Sequence, residues 1–521
     1  MNLMRSSYIR PLGVLLLALS AGVAPAGDIN QLSSAGFDKE AYIAGARTSM
    51  VLRIGRVDCM AYALKNNSEV KIKRIQPRLR EDDVRIARSV FEPSLSVEAA
   101  LTDTTELSPN LIYGTNISLM RSGDLNAGVG GKLWTGTRYD LAVDTSRIKS
   151  SSPTQIINPA YGVEPQITLT QPLLRGAGIT VNRAEIVITE NNLQISTKNL
   201  QATVMDIITR TLVAYYDLYY ARARYSIEAD ALERTRRLLT INQARHAKGL
   251  ISSVNLLETE TAVAERMKRV IAAEAAMKTA EDALKLVTNL VDDPALWNAR
   301  VELLEEPVLG LQRIDLVQCL ERAFDNRPDY QSMKIALINR DVQIQVARNG
   351  LLPTVDVIGS FGLNGLGDTY GAAADNANMD YKDWLVGVRV TVPWGRGDRA
   401  RYDKSKWEKI QAILELKRLE QDIIFAVRNR VRDVDIQYRQ TEAAMLAADM
   451  ETKNYDAQQE RYAVGQVNTH DILDYQNRLA SARLDYVKAM IDYQIALIRL
   501  DQAEGVTLAN NNITLENEHD P

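Results

Sequence analysis

Ile472, Tyr475, Leu479, Ala482, Tyr486, Ala489, Tyr493, Ala496 and Leu500 recur in alternating steps of three and four residues, through a stretch without proline. Subtracting 216 from each number gives Leu256, Thr259, Val263, Arg266, Val270, Ala273, Met277, Ala280 and Leu284. The stripe survives, with Arg266 as a charged member and Thr259 as a weak one. A sustained 3-4 alternation keeps one helix face toward a partner helix, and so reads as the seam of a coiled coil. The partner stretch reads Val427, Val431, Val434, Tyr438, Thr441, Met445 and Ala448. A long helical pattern written twice at one offset makes this a duplicated chain.

Other landmarks keep the offset. Arg183-Ala184 recurs as Arg399-Ala400 (399 − 183 = 216), and Gly249 recurs as Gly465 (465 − 249 = 216). Gln171-Pro172-Leu173 matches Val392-Pro393-Trp394 at 393 − 172 = 221, so the first copy holds a short insertion around residues 174–182. Proline-free helical stretches cover residues 183–247 and 398–464. At 1.5 Å per residue each spans roughly 95–100 Å, where a globular helix averages about 11–12 residues, so these helices form a rod or tube. Gly249 and Gly465 sit where a left-handed residue ends a helix. Ser252 or Ser253, and Asn468 or Thr469, can cap the returning helices. Two helical hairpins with tight tips result.

Between the helices the period changes to two. Residues 93–102, 138–147 and 166–173 in the first copy, and 354–361 and 384–392 in the second, alternate apolar with polar; Val386, Val388, Val390 and Val392 are the clearest run. One apolar and one polar face suit barrel strands set between lipid and lumen. The first copy carries more: residues 125–134 and 138–147 flank Thr135-Gly136-Thr137 and read as an additional hairpin. Its pattern fits a place in the barrel and a place elsewhere equally.

The N-terminus reads as an export signal. Arg5 and Arg10 precede an apolar run at residues 12–23, and Ala24-Pro25-Ala26 offers a cleavage site before Gly27. The run is too short for a good membrane anchor, and no cysteine follows it to mark a lipoprotein. No other stretch approaches ~20 apolar residues, so membrane insertion would require a barrel. Among 521 residues, 62 basic and 66 acidic side chains leave a formal charge of -4, which gives no basic footprint for nucleic acid. Cys59 and Cys319 lie in similar amphipathic contexts and read as small buried hydrophobes.

The expected organisation is a signal peptide at 1–26, an N-terminal segment with a first helix at 27–92, and a first barrel segment at 93–174. A first long hairpin at 183–290 and an equatorial linker at 291–312 follow. The second copy has a helix at 313–351, a barrel segment at 352–393 and a long hairpin at 398–505, before a tail at 506–521.

Within this duplicated plan, Gln171-Pro172-Leu173-Leu174-Arg175-Gly176-Ala177-Gly178, Asn182-Arg183-Ala184, Arg461-Tyr462-Ala463-Val464-Gly465 and Thr469-His470-Asp471-Ile472-Leu473-Asp474 resemble TolC-type outer-membrane factors. The likeness covers residues 51–505. It implies a membrane β-barrel continued by a long α-helical coiled-coil barrel, completed by a homotrimer in the outer membrane. It further implies an export channel docked through a periplasmic adaptor on an inner-membrane transporter. One chain has too few strands to close a barrel, and open edges cannot face lipid.

By the same resemblance, Asp471 and Asp474 form the pore constriction. Three residues apart at a helix start, they share one face and would stack two carboxylate rings in a trimer. Their bland reading is N-terminal helix charge, worth ~0.3–1 kcal/mol. Tyr462 matches a tyrosine restraining the closed tip; its bland reading is helix packing. Val467 and Asn255 replace the arginine and aspartate of the family's ionic latch, and Glu258 is the first-copy counterpart of Asp474. His246 and His470 lie near the tips, and neither has a second ligand at metal spacing in the sequence; solvated residues are the simple reading. Gly131-Lys132 lacks the rest of a phosphate loop. No catalytic constellation, cofactor motif or metal site is visible. The rival functions are type I protein secretion by the same kind of channel, a secreted coiled-coil structural protein, and an adaptor. The last lacks a second hairpin, and the structural protein leaves the alternating strands unexplained.

Overall fold

A computed structural model describes residue 43 and residues 50–107, 117–152, 155–310 and 312–514. The expected signal peptide and the third histidine of the sequence, His519, lie outside these. The chain divides into two compact units, Met1–Leu52 with Val291–Val301, and Arg53–Leu290 with Glu302–Pro521. In the smaller, the Arg300 N–H donates to the Met50 carbonyl at 2.8 Å.

In chain order, β1 (Val51–Ile54) precedes α1 (Arg56–Asn66) and α2 (Ser68–Ser89). β2 (Ser94–Leu107), β3 (Ile117–Lys132), β4 (Arg138–Ser150) and β5 (Ala160–Pro172) follow, then the long α3 (Ala184–Ala247) and the returning α4 (Ser253–Thr288). After β6 (Arg300–Leu303) come α5 (Leu316–Asn326), α6 (Pro328–Asn349), β7 (Thr354–Leu363), β8 (Gly365–Gly367), α7 (Tyr370–Asn376) and β9 (Lys382–Thr391). The second hairpin is α8 (Gly397–Ala463) and α9 (Thr469–Glu504).

The duplication extends further forward than the motifs suggest, at a second offset. α1 and α5 are both 11 residues, α2 and α6 both 22, and their starts differ by 316 − 56 = 260 and 328 − 68 = 260. Where one helix was expected within 27–92 and within 313–351, residues 50–92 and 313–351 each hold two. The Asn67 side chain accepts from the Glu69 N–H at 2.9 Å and starts α2, while Pro328 opens α6 and restricts the residue before it. Cys59 and Cys319 fall at equivalent positions, both buried and both free thiols. Burial pushes the Cys59 thiol up to about 12, so it stays protonated and apolar.

α3 and α8, at 64 and 67 residues, each run about 100 Å by helical rise. Gly249 and Gly465 end them at φ 71° and 81°, the left-handed region that glycine enters freely. The returning helices also stop at equivalent places, Asn289 (φ 53°) and Gly505 (φ 76°), with 505 − 289 = 216. Every member of both nine-residue seams is buried or half-buried. On α8 one expected seam residue is misplaced: Met445 is 53% exposed. The buried residues there recur every seven, as Val427, Val434, Thr441, Ala448, Tyr455 and Tyr462. Between Thr441 and Ala448 the half-buried residue is Ala444, on the other flank of this repeat, and position 445 faces outward.

The large sheet has the order β2-β3-β4-β5-β7-β9, all antiparallel, with β8 beside β5. The additional hairpin of the first copy, β3–β4, therefore lies inside this sheet. Directly paired residues share a face. One row runs Leu95, Val129, Leu141, Ile167, Phe361, Trp384 across all six strands. The adjacent row on the opposite face runs Ser96, Gly128, Ala142, Gln166, Gly362, Asp383. The sheet has an apolar side and a polar side, the arrangement expected between lipid and lumen.

Candidate functional site

The hairpin tips bring polar residues from four helices into one buried cluster. Asn242 of α3, fully buried, donates from Nδ2 to Thr259 Oγ1 of α4 at 2.8 Å and, more weakly, to Thr469 Oγ1 of α9 at 3.4 Å. Its Oδ1 accepts a short hydrogen bond from the Tyr462 hydroxyl of α8, which also lies 3.3 Å from Thr469 Oγ1. All four side chains are buried. One amide thus ties both hairpins together, and the loss of any member strands a buried donor or acceptor.

Arg245, in the last turn of α3, clamps the same tyrosine from outside. Its guanidinium lies 4.8 Å from the Tyr462 ring centre, and Nη2 donates to the Tyr462 and Ala463 carbonyls at 3.2 Å each. These carbonyls lie in the last turn of α8, where the Tyr462 carbonyl also accepts the Gly465 N–H at 3.1 Å, so a cation there meets the negative end of the helix dipole. Val467 packs into the apolar cluster of Leu238, Tyr455, Tyr462, Ile472, Leu473 and Leu479. Asn255 bonds through its backbone, its N–H to Ser252 Oγ and its carbonyl from Thr259 Oγ1. The two positions of the family's ionic latch thus hold an apolar contact and a helix start.

Asp471 and Asp474 lie just beyond the cluster on α9, both partly exposed. Asn468 Oδ1 caps the helix by accepting the Asp471 N–H at 2.8 Å. Asp474 forms an ion pair with Arg478 at 2.7 Å, an exposed i,i+4 pair of the weak kind. Glu258 does not stand alone: its Oε1 is 2.7 Å from His470 Nδ1, an exposed link between α4 and α9. The bond to Glu258 raises the His470 pKa above its ordinary value, and the charges of Asp471 and Asp474 add to this. His470 looked isolated in the sequence because its partner is 212 positions away.

Sequence reasoning found Tyr462, Glu258 and the aspartates but missed Asn242, Arg245, Thr259 as a bonding partner, and Arg478. A signal existed for the first: Glu228, Thr235 and Asn242 are polar residues at seven-residue steps, and all three are buried. Among the described residues no group of His, Cys, Asp and Glu could hold a metal ion.

The sequence profile described as "Outer membrane efflux protein" matches residues 60–290 and 319–506, most of the chain and both copies. The chain belongs to the outer membrane efflux protein family. Curated relatives include the outer membrane efflux protein BepC of Brucella suis, 24% identical over 454 residues, covering 85% of this chain and 83% of that one. TolC of Escherichia coli is 24% identical over a shorter span, 34% of this chain and 37% of that one. The fold is shared with the CmeC channel of Campylobacter jejuni (TM-score 0.64, 16% identity, 87% of this chain and 86% of that one). It is shared equally with the open-state MtrE channel of Neisseria gonorrhoeae (TM-score 0.62, 17% identity, 87% and 89%). Membership makes this protein a passive outer-membrane efflux channel and not an enzyme, its helical part extending into the periplasm.

Proposed function

We propose that the channel works as a homotrimer held shut at its hairpin tips, with Asp471 and Asp474 as the constriction and Tyr462 as its restraint. It would receive cargo from an inner-membrane transporter through a periplasmic adaptor that grips the helical barrel. The observation that carries the gate is the four-helix cluster around Asn242 and Tyr462, which sits directly behind the aspartates on α9. While the cluster holds, α8 and α9 cannot swing away from α3 and α4 without exposing bonds that are now buried. Lining up three copies of Asp471 at a narrow point would favour cations over anions, and Arg478 offsets part of the Asp474 charge.

Two features support association with copies of the chain. Among the described residues the sheet ends in two edge strands, β2 and β9, each open on its outer side, and lipid does not tolerate an open strand edge. α8 also carries Trp407, Leu414, Phe425 and Leu446, each more than 60% exposed, a large apolar face for a single chain. The test is Asp471→Ala with Asp474→Ala in planar bilayers. Cation selectivity and block by divalent cations should both fall; unchanged selectivity in a protein that still assembles as a trimer removes the gate assignment.

A further inference from the structure

Counting the two copies strand by strand gives an unequal result. β2 and β7 start at equivalent positions, 354 − 94 = 260, the offset already kept by the helices before them. Pro172, at the end of β5, matches Pro393, just after β9, at 393 − 172 = 221. The ancestral unit is therefore two strands, β2 with β5 and β7 with β9. The offset drops by 260 − 221 = 39 between these points, and the β3–β4 hairpin, residues 117–150, supplies most of the difference. The hairpin is an insertion between two strands that the second copy keeps adjacent.

We propose that this insertion is a working part of the membrane wall, so that the assembled channel closes through eighteen strands, six from each of three chains. The partner at each sheet edge is a second copy of this chain, β9 of one against β2 of the next. This rests on the trimer proposed above; the strand number is separate from it.

Three observations carry the inference. First, an even number of antiparallel strands leaves the two edges, β2 and β9, running in opposite directions, so the next copy continues the same antiparallel ladder. Leu95 at one end and Trp384 at the other belong to one apolar row, so the continued sheet keeps a single lipid face. Second, the hairpin has the same two-faced pattern as its neighbours: Val129 and Leu141 stand in the apolar row, Gly128 and Ala142 on the polar face. A hairpin folded into the lumen or lying on the outside would show one of these faces to the wrong solvent.

Third, the hairpin is anchored where the barrel meets the helices. The Thr135 carbonyl accepts the Gly178 N–H at 3.0 Å, and Thr137 Oγ1 bonds to Gln171 of β5. Gly136 has φ 96°, and a Cβ there would collide with the Gly176 carbonyl, so the turn is pressed against the start of the long helix. Arg183 closes the contact from the other side, 4.7 Å from the Trp134 ring centre, and Trp134 meets Phe91 edge-on at 6.3 Å. Tyr139 covers Gly131 closely enough that any side chain at 131 would displace it. Such an aromatic over a strand glycine pins register.

Barrel diameter grows roughly in proportion to strand number, so eighteen strands make a wall about half as wide again as the twelve that two two-stranded units per chain would form. At this size a barrel holds an open aqueous lumen. The membrane portion would then impose no sieve, leaving size selection to the helical tips. Bulky solutes that pass the tips would meet no second barrier.

Electron microscopy of the detergent-solubilised full-length protein can count the strands directly. Eighteen around a threefold axis is the expected result. Twelve around the same axis, with β3–β4 displaced, overturns the proposal and leaves the trimer intact; a particle without threefold symmetry removes the trimer itself. A second measurement uses cysteine pairs in a background lacking Cys59 and Cys319. Leu95→Cys with Val129→Cys, and Leu141→Cys with Ile167→Cys, join directly opposed residues in the wall. Both pairs should oxidise within one chain in outer-membrane fractions. Failure of both in protein that assembles and inserts places the hairpin outside the wall.

Discussion

The two long hairpins share length, tip geometry and end points, yet their seams are built from different chemistry. In the first, Arg266 is buried against Glu228 at 3.1 Å and donates to Asn477 of the second hairpin at 2.6 Å. Adding 216 to these two positions gives Ala482 and Ala444, so the second hairpin fills the equivalent layer with two methyl groups. The first copy also buries more: α3 has 20 buried residues along its length and α8 has 8. α3 is the helix that α2, α6, α4 and α9 all pack against, whereas α8 leaves an apolar side open. Equal helices thus do unequal work, the first organising its own chain and the second leaving an apolar face exposed, the face proposed above to meet other copies.

Breaking the buried pair tests this contrast most severely. Glu228→Ala alone leaves the Arg266 charge buried, at a cost of about 3–5 kcal/mol, while Glu228→Ala with Arg266→Ala imitates the second hairpin and should recover most of that. Thermal dissociation of the assembled protein measures both; a double variant no better than the single shows that the pair is more than local packing. Next in size is the tip. Tyr462→Phe strands the Asn242 acceptor and should cost about 1–3 kcal/mol. It should also raise the open probability in bilayers, and a structural loss without a change in gating would separate Tyr462 from the restraint.

The glycine tips provide a symmetric control. Gly249→Ala and Gly465→Ala meet no neighbouring atom within 4 Å, so only backbone strain acts, on the order of 1 kcal/mol each. Equal losses mean the two tips are energetically alike; a larger effect on conductance at 465 would assign gating to the second hairpin. The smallest effect is the pH dependence of the Glu258–His470 link. A pKa raised by folding adds stability that is complete below the ordinary histidine value and is lost as pH rises through the raised one. The closed state should therefore loosen slightly as pH rises above the ordinary histidine range, and His470→Gln should flatten that dependence. An unchanged profile in the variant removes the link from gating.

Much of the plan was legible because its signals are periodic. The 3-4 stripe, the period-two strands and the two glycines each follow from local geometry that side chains must satisfy wherever the helix or strand lies. The tip cluster was legible only in part. Tyr462 and Asp471 stood in a recognisable motif, but Asn242 is 220 positions from Tyr462, and nothing local announces such a partner. Met445 fell on the wrong face for a related reason. A seven-residue repeat can be flanked three or four positions on, and only the packed partner decides that Ala444 rather than Met445 turns inward.

The sequence by itself determined the duplication, the two hairpins with tips at residues 249 and 465, and the presence of surplus strands in the first copy, since each is a matter of spacing along one chain. Tertiary structure alone decided where those surplus strands lie, which buried amide joins the four tip helices, and that Arg266 is neutralised rather than misplaced. These depend on contacts between residues tens to hundreds of positions apart. Period and propensity are blind to them, because a side chain's partner is chosen by the fold around it.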